Sequence, residues 1–389
     1  MSLKKITLIF SVCTLQIISS NDVIKHSHLS SSWYPHNKKL LLEMITELDI
    51  KAKNLYDAQL DASAIRTVIV PHASYHYSGT VAASIYRLLD KKNINRIIIL
   101  APNHAGNAQG VTLPNFNIYK TPLGDISINQ KIIKQLSHYQ DFYYHDQAFH
   151  QEHSVEIQLP LIQYYLDQNV EVIPLLINTI TCTQAENIAK KLKPFINNHT
   201  IVLISSDFTH YGKQFNYVPF KDALYYRIRN LDSQAIQLLE KENCYEWDHF
   251  IRKTGATICG NNPLKITLAL KKLHAFHQTE PRLIAYDQSG NQTKSWDSCV
   301  SYIGMLFTEQ KLTSQKFEEQ LTNQEKKGLI QQAHDTLHAI FDNTIEPSLL
   351  FAIQSFGIRR PLGVFTTLEK KSNNSNNKRE LRGCIGQII

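Results

Sequence analysis

The stretch Ile201-Val202-Leu203-Ile204-Ser205-Ser206-Asp207-Phe208-Thr209-His210 changes character halfway along. Four consecutive apolar residues give way to hydroxyl, carboxyl and imidazole side chains. An apolar run without period-two alternation is how a strand reads when both of its faces are covered, as in a parallel or mixed sheet between helices. The pattern recurs. Thr67 to Val70 runs into Pro71-His72-Ala73-Ser74-Tyr75-His76, Arg96 to Leu100 into Ala101-Pro102-Asn103-His104, and Arg282 to Tyr286 into Asp287. In open α/β sheets, ligands bind beyond the carboxyl ends of the strands. One histidine at a strand end is an ordinary hydrogen-bonding residue. Three of them with an aspartate, on neighbouring strands, read as a site.

Two further apolar runs, Val170 to Leu176 and Val300 to Phe307, complete the set of strands. Helical periodicity falls between them: Asn37 to Leu48, Thr80 to Leu89, Val155 to Leu166, Ala185 to Leu192, Ala223 to Leu239 and Pro263 to Leu273. Pro160 predicts a kink in the third of these, or a shifted start. Alternating strands and helices predict a layered α/β architecture, a sheet with helices on both faces. After the polar segment Glu309 to Glu319, residues Asn323 to Phe341 read as an amphipathic helix. Pro361 to Leu368 and Leu381 to Ile389 read as strands, and the asparagine-rich Ser372 to Asn377 as a loop.

At 389 residues the chain suggests one large domain and a smaller one. Its composition, 43% hydrophobic and 19% charged, is that of a globular protein. The net charge of +7 comes from scattered lysines and arginines, with no basic block and no nucleic-acid-binding motif, so it reads as a solvated basic surface. The six cysteines, Cys13, Cys182, Cys244, Cys259, Cys299 and Cys384, are far apart, and a chain of this length does not need a disulfide framework. Lys4 and Lys5 precede an apolar run, Ile6 to Ile18, followed by Ser19 and Ser20. This leaves two readings: a secretion signal with export, or an N-terminal segment of a cytoplasmic protein. No stretch reads as an integral membrane span.

Cys259 lies in Thr257-Ile258-Cys259-Gly260-Asn261-Asn262-Pro263. With Asn262 as N-cap and Pro263 as first helical residue, the cysteine precedes a helix N-terminus, whose dipole favours thiolate. A thiolate with two imidazoles suits copper(I), zinc or iron(II). The competing reading is a buried structural cysteine. In Glu152-His153-Ser154-Val155-Glu156, His153 and Glu156 can share a helix face and Ser154 can cap it, although a bare His-x-x-Glu is usually a solvated pair. No Gly-x-Gly-x-x-Gly, Walker loop, Gly-x-Ser-x-Gly or His-Glu-x-x-His occurs, which removes support for nucleotide cofactors and the commonest hydrolases.

Eight segments, in order, resemble one family. They are Ser31-Ser32-Trp33-Tyr34-Pro35, Pro71-His72-Ala73-x-Tyr75, Ala101-Pro102-Asn103-His104, Tyr119-x-Thr121-Pro122-Leu123-Gly124, Glu152-His153-Ser154-Val155-Glu156, Ser205 to His210, Thr257-Ile258-Cys259-Gly260 and Ser301-Tyr302. The chain from about residue 30 to 308 resembles the Memo family, whose bacterial and archaeal members are called AmmeMemoRadiSam system protein B. The resemblance implies a fold like that of the class III, LigB-type extradiol dioxygenases, with a cysteine in place of their glutamate ligand. By motif it implies His72, His104 and Cys259 as metal ligands for copper or iron, with Asp207, His210 and His153 as further polar residues of the pocket. The family carries links to redox chemistry and to phosphotyrosine-peptide binding in the same cleft, and no settled substrate.

The tail is similar to a second family. Leu321-Thr322-x-x-Glu325, Pro361-Leu362-Gly363-Val364-Phe365-Thr366-Thr367-Leu368 and Leu381-Arg382-Gly383-Cys384-Ile385-Gly386 resemble the start of an AMMECR-type domain, protein A of the same system. The implied organisation is a leader over 1–20, a Memo-like domain over 30–308, a linker over 309–320 and an incomplete AMMECR-type segment over 321–389. Functional association with AMMECR-type and radical-SAM proteins is implied as well. Memo-like chains usually begin near the Ser-Trp-Tyr motif, so a leader of this size fits an export signal better than a structural extension, but the family is otherwise mostly intracellular.

Three chemical readings follow. The first is a metal-dependent redox or oxygenase-like protein, with His210 as general acid/base oriented by Asp207 or water; the thiolate softens the site and makes ring cleavage doubtful. The second is a binding module that takes a small molecule or peptide in the same pocket, lined by Tyr75, Tyr77, Phe208 and Tyr211, although core packing explains most of these aromatics. The third is a cysteine-nucleophile hydrolase built from Cys259, His210 and Asp207.

Overall fold

The computed structural model describes residues 22–309, apart from 30, 57–60, 105, 107, 167–168 and 277–278, together with the backbone of 363–371 and 379–388. In chain order the elements of the first part are β1 (Ile24–His26), α1 (Lys38–Leu55), β2 (Ile65–Val70), α2 (Tyr75–Tyr86), β3 (Arg96–Pro102), β4 (Val111–Leu113), β5 (Ile118–Thr121) and β6 (Gly124–Ser127). There follow α3 (Gln130–Leu136), β7 (Phe142–Tyr144), α4 (Asp146–His150), α5 (His153–Glu156), α6 (Leu159–Tyr165), β8 (Glu171–Ile177), α7 (Cys182–Leu192) and β9 (Thr200–Ser205). The last group is β10 (His210–Gly212), α8 (Leu224–Glu240), α9 (Cys244–Thr254), α10 (Asn261–Lys272), β11 (Glu280–Gln288), α11 (Gly290–Thr293) and β12 (Ser298–Thr308).

The main sheet runs β10-β12-β2-β9-β3-β8-β4-β7, with β11 on the other edge of β12. Its centre, β2-β9-β3-β8, is parallel. These are the apolar runs of the sequence, and every residue of β2 and β9 is buried. Each Ile, Val or Leu so covered contributes about 1.5–3 kcal/mol.

Helices cover both faces, as expected. On β12, a Cβ built at Gly304 would lie 2.9 Å from Ile85 of α2. Three residues on, the Phe307 ring lies 5.5 Å from Nζ of Lys271 on α10. Residues an odd number apart on a strand point to opposite faces, so α2 and α10 sit on opposite sides of the sheet.

Local signals explain most boundaries. Asn37 caps α1 by accepting from the N–H groups of Lys39 and Leu40, and Leu41, Ile45, Leu48 and Ala52 bury one stripe. Thr181 and Gln184 form a reciprocal capping box on α7. The run from Val155 to Leu166 breaks into α5 and α6, with Pro160 in the first turn of α6. The helix α2 starts five residues ahead of its apolar pattern, at Tyr75. The buried residues at its start include Ser78 and Gly79, which carry no apolar signal. The helix α9, which buries Cys244, Trp247 and Phe250, was missed in the sequence.

One expectation is overturned. Cys182 and Cys244 form a disulfide, with Cα atoms 5.8 Å apart and a sequence separation of 62. Sequence spacing carried no sign of it, because packing α7 against α9 is what brings the two helix starts together.

The leader, most of the linker, the helix read at Asn323 to Phe341 and the loop at Ser372 to Asn377 lie outside the described residues. Beyond them, β13 (Gly363–Lys371) and β14 (Arg379–Ile388) pair antiparallel, near the two strands read there. Among the described residues no helix is long and apolar enough to cross a membrane.

Candidate metal centre

Because β9 lies between β2 and β3, the residues that follow these three strands converge. His72, Asp207 and His104 each stand two residues past a strand end, after Val70, Ser205 and Pro102. The helix α5 adds His153, β10 opens with His210, and the turn into α10 brings Cys259. Together with Phe215 and Thr257, these side chains line a cavity of about 320 Å³. A larger depression, about 770 Å³, runs along the exposed face of α1 between Asn37 and Glu47, but no reactive groups converge there. Asp287 does not line the cavity. It accepts from the N–H of Gln288 and from Asn291 at the outer edge of the sheet.

The hydrogen bonds of His72 fix its tautomer. Its Nδ1 lies 3.1 Å from Oγ of Ser205. That hydroxyl gives its own proton to the carbonyl of Ser154, 2.7 Å away. Nδ1 of His72 must therefore be the donor, which leaves a lone pair on Nε2. Nε2 is buried and has no hydrogen-bond partner. A buried polar atom without a partner is costly and calls for an explanation. Burial, followed by the nearby His104, holds the pKa of His72 well below the ordinary range, so the ring is neutral.

His104 shows the same arrangement. Its Nδ1 lies 2.9 Å and its backbone N–H 2.6 Å from the two carboxylate oxygens of Glu152. Burial raises the pKa of Glu152, but the bond from His104 and the charges of His104 and His153 outweigh that and bring it down to about 2. Facing an ionised carboxylate, Nδ1 of His104 donates, and in the neutral ring Nε2 is left as acceptor. Burial lowers the pKa of His104, and the hydrogen bond and charge of Glu152 more than reverse this. Glu152 was missed as a site residue, although it was quoted within its motif. It also caps α5 through the N–H of Ser154, the role expected of Ser154 itself. The Ser154 hydroxyl instead donates to the carbonyl of Pro102.

The ligand-capable atoms of His72, His104 and Cys259 all lie within 4.8 Å of one another. The three residues picked out by motif therefore come together, and the unpartnered Nε2 of His72 fits a metal ion. Soft sulfur with two imidazoles matches copper(I), zinc or iron(II) rather than magnesium or calcium. A second group, His104, Glu152 and His153, also lies within 4.8 Å. In that group the Glu152 oxygens already accept N–H bonds, so it reads as the outer support of a metal ligand.

His153 stacks on His104 with centroids 4.6 Å apart and meets His72 edge-on at 5.2 Å. Burial and these two imidazoles push its pKa down to about 3. It does not pair with Glu156, which binds elsewhere. Asp207 accepts the backbone N–H of His72 at 2.8 Å, and burial raises its pKa against the pull of His210. It does not orient His210 as expected. Nδ1 of His210 lies 2.9 Å from the carbonyl of Phe208 and 3.0 Å from that of Thr257. Two acceptors make Nδ1 the donor and turn the Nε2 lone pair toward Cys259, whose Sγ is 3.6 Å away.

The helix behind Cys259 starts earlier than expected. The N–H of Leu264 bonds the carbonyl of Gly260, so Gly260 rather than Asn262 is the N-cap and Pro263 falls within the first turn. Nor does the helix dipole leave the sulfur as thiolate. Burial first, then Asp207 and Glu152, push the Cys259 thiol well above its ordinary pKa. In the metal-free protein it is a thiol. Of the aromatics proposed as a lining, Tyr75, Phe208 and Tyr211 are core residues, and Phe215 lines the cavity instead.

Comparison with known proteins identifies the family. The family model described as "Memo-like protein" matches residues 25–306. "Protein memo-1 homolog" of Caenorhabditis elegans is 30% identical over 304 residues, covering 75% of this chain and 85% of that protein. "MEMO1 family protein" of Metallosphaera sedula is 33% identical over 248 residues, covering 62% and 82%. A crystal structure of an uncharacterized protein from Escherichia coli K12 aligns with TM-score 0.40 and 11% identity, over 62% of this chain and 99% of that one. The matched span includes every residue of the cavity, and the chain belongs to the Memo-like protein family.

Proposed function

We propose that this chain is a metal-binding protein whose His72, His104 and Cys259 hold copper or iron for a redox or oxygenase-like reaction. The observation that carries this is the buried, unpartnered Nε2 of His72, with the free Nε2 of His104 and the sulfur of Cys259 in reach. Bound there, either ion would supply one-electron redox chemistry. The protein's own groups hold the ligands in place: Ser205 and Glu152 each accept a hydrogen bond from an Nδ1–H and so turn the opposite nitrogen inward. His210, with its lone pair toward the cavity, is the group able to take a proton from Cys259 or from a bound ligand. His153, kept neutral, and Phe215 form walls against which a small molecule packs.

A second reading, a binding module for a small ligand or peptide side chain, draws on the cavity volume, which is at the low end for ligand sites. The hydrolase reading loses ground, because the raised thiol pKa works against a Cys259 nucleophile.

Metal analysis of the purified chain, wild type against His72→Ala, His104→Ala and Cys259→Ala, tests the first reading. It expects loading with copper(I) or iron(II) in wild type and loss in each variant. Equal binding by Cys259→Ala would defeat it; ligand binding that ignores chelators would favour the second. For the C-terminal segment we hold to a resemblance to an AMMECR-type domain. The association with AMMECR-type and radical-SAM proteins is tested by co-purification with partners of those two classes.

A further inference from the structure

Glu156 is a fully buried carboxylate outside the cavity. Its Oε1 accepts from the backbone N–H groups of His28 and Leu29, each at 3.0 Å, and from the Tyr34 hydroxyl at 2.7 Å. Its Oε2 accepts from the N–H of His28 at 3.1 Å and from the Tyr119 hydroxyl at 2.7 Å, and Nδ1 of His28 lies 2.6 Å away. A buried carboxylate is tolerated only when donors replace its lost hydration. Apart from Tyr119, every donor here belongs to the segment from His28 to Tyr34.

That segment carries Trp33, whose ring lies 4.7 Å from the ring of His153. Glu156 and His153 stand on the same turn, α5, and they contact the adjacent residues Tyr34 and Trp33. The carbonyl of Trp33 also accepts from the N–H of Tyr75, three residues past His72. The turn thus grips the N-terminal segment at two points. One is ionic and outside the cavity; the other is aromatic and abuts a cavity wall.

We propose that Glu156 is a positioning residue: by holding residues 28–34 it seats Trp33 against His153 and so fixes the ring that stacks on His104. It acts through Trp33 and contributes no metal ligand.

The test uses the full-length metal-free chain and the rate at which diethylpyrocarbonate modifies His153, read by peptide mass spectrometry. His153 is neutral, so its rate reports access. Glu156→Gln keeps the size but sets an amide NH2 against backbone donors. The expectation is a several-fold rise in Glu156→Gln, a similar rise in Trp33→Ala, and no further rise in the double variant. Tyr34→Phe, which removes one donor and keeps the charge, should raise the rate by less. A double variant exceeding Trp33→Ala would mean general loosening and overturn the proposal. Unchanged His153 reactivity in Glu156→Gln, or in Tyr34→Phe where Glu156→Gln does not fold, would overturn it too. A wild-type chain that binds no copper defeats the metal reading and leaves this test intact.

Discussion

Sγ of Cys259 lies 3.6 Å from Nε2 of His210, although the two residues are 49 positions apart and His210 is held from its other side by backbone carbonyls. The pair joins a thiol with a raised pKa to an imidazole nitrogen free to accept its proton.

Metal binding should therefore be strongly pH-dependent. The thiol must lose its proton to become a ligand, and its pKa is raised, so affinity for copper(I) climbs with pH across the neutral range. One released proton corresponds to about tenfold per pH unit. Competition titrations of the wild-type chain at several pH values should show this slope. An affinity independent of pH would remove the thiol from the site.

Glu152→Gln should weaken metal binding by roughly 10–100-fold, the usual effect of losing the partner of a ligating histidine. It should also alter acid stability. The Glu152 carboxylate sits at about 2 in the fold against an ordinary 4.5. Its contribution, on the order of 3 kcal/mol, is fully present above pH 4.5 and is lost as pH falls through about 2. Unfolding free energies measured over that window should fall less steeply in Glu152→Gln.

Gly260 lies so close to Ser206 that an added Cβ would stand 2.4 Å from the Ser206 Cβ and Oγ. Ser206 Oγ also accepts the N–H of Gly260 at 2.8 Å. Gly260→Ala should cost about 1–3 kcal/mol by overpacking and displace the neighbouring Cys259. A thermal melt together with a copper(I) titration checks both effects; an unchanged melting temperature would contradict the close approach.

The Cys182–Cys244 bridge should be found oxidised, and serine at both positions should destabilise the chain by about 2–4 kcal/mol. Disulfides of this structural kind form in oxidising compartments. Fractionation should therefore recover the chain in an oxidising compartment with this bridge formed. A cytoplasmic chain with both thiols free would refute the export reading.

The sequence alone determined the parallel core and the ends of its strands. Runs such as Ile201 to Ile204 have no polar alternation, so they can exist only with both faces covered, and that is a local property of composition. It also yielded His72, His104 and Asp207, because they follow those strands directly, and Cys259, from its motif ahead of a helix start. Tertiary structure alone decided the partners. Whether Asp207 would orient His210 or accept from the N–H of His72, and that Glu152 would serve His104, depend on β9 falling between β2 and β3. The state of Cys259 went the same way: a helix N-terminus is visible in sequence, but burial and the carboxylates around the sulfur come from distant segments and outweigh it. The Cys182–Cys244 bridge belongs with these, since cysteines 62 residues apart pair only after α7 and α9 have packed.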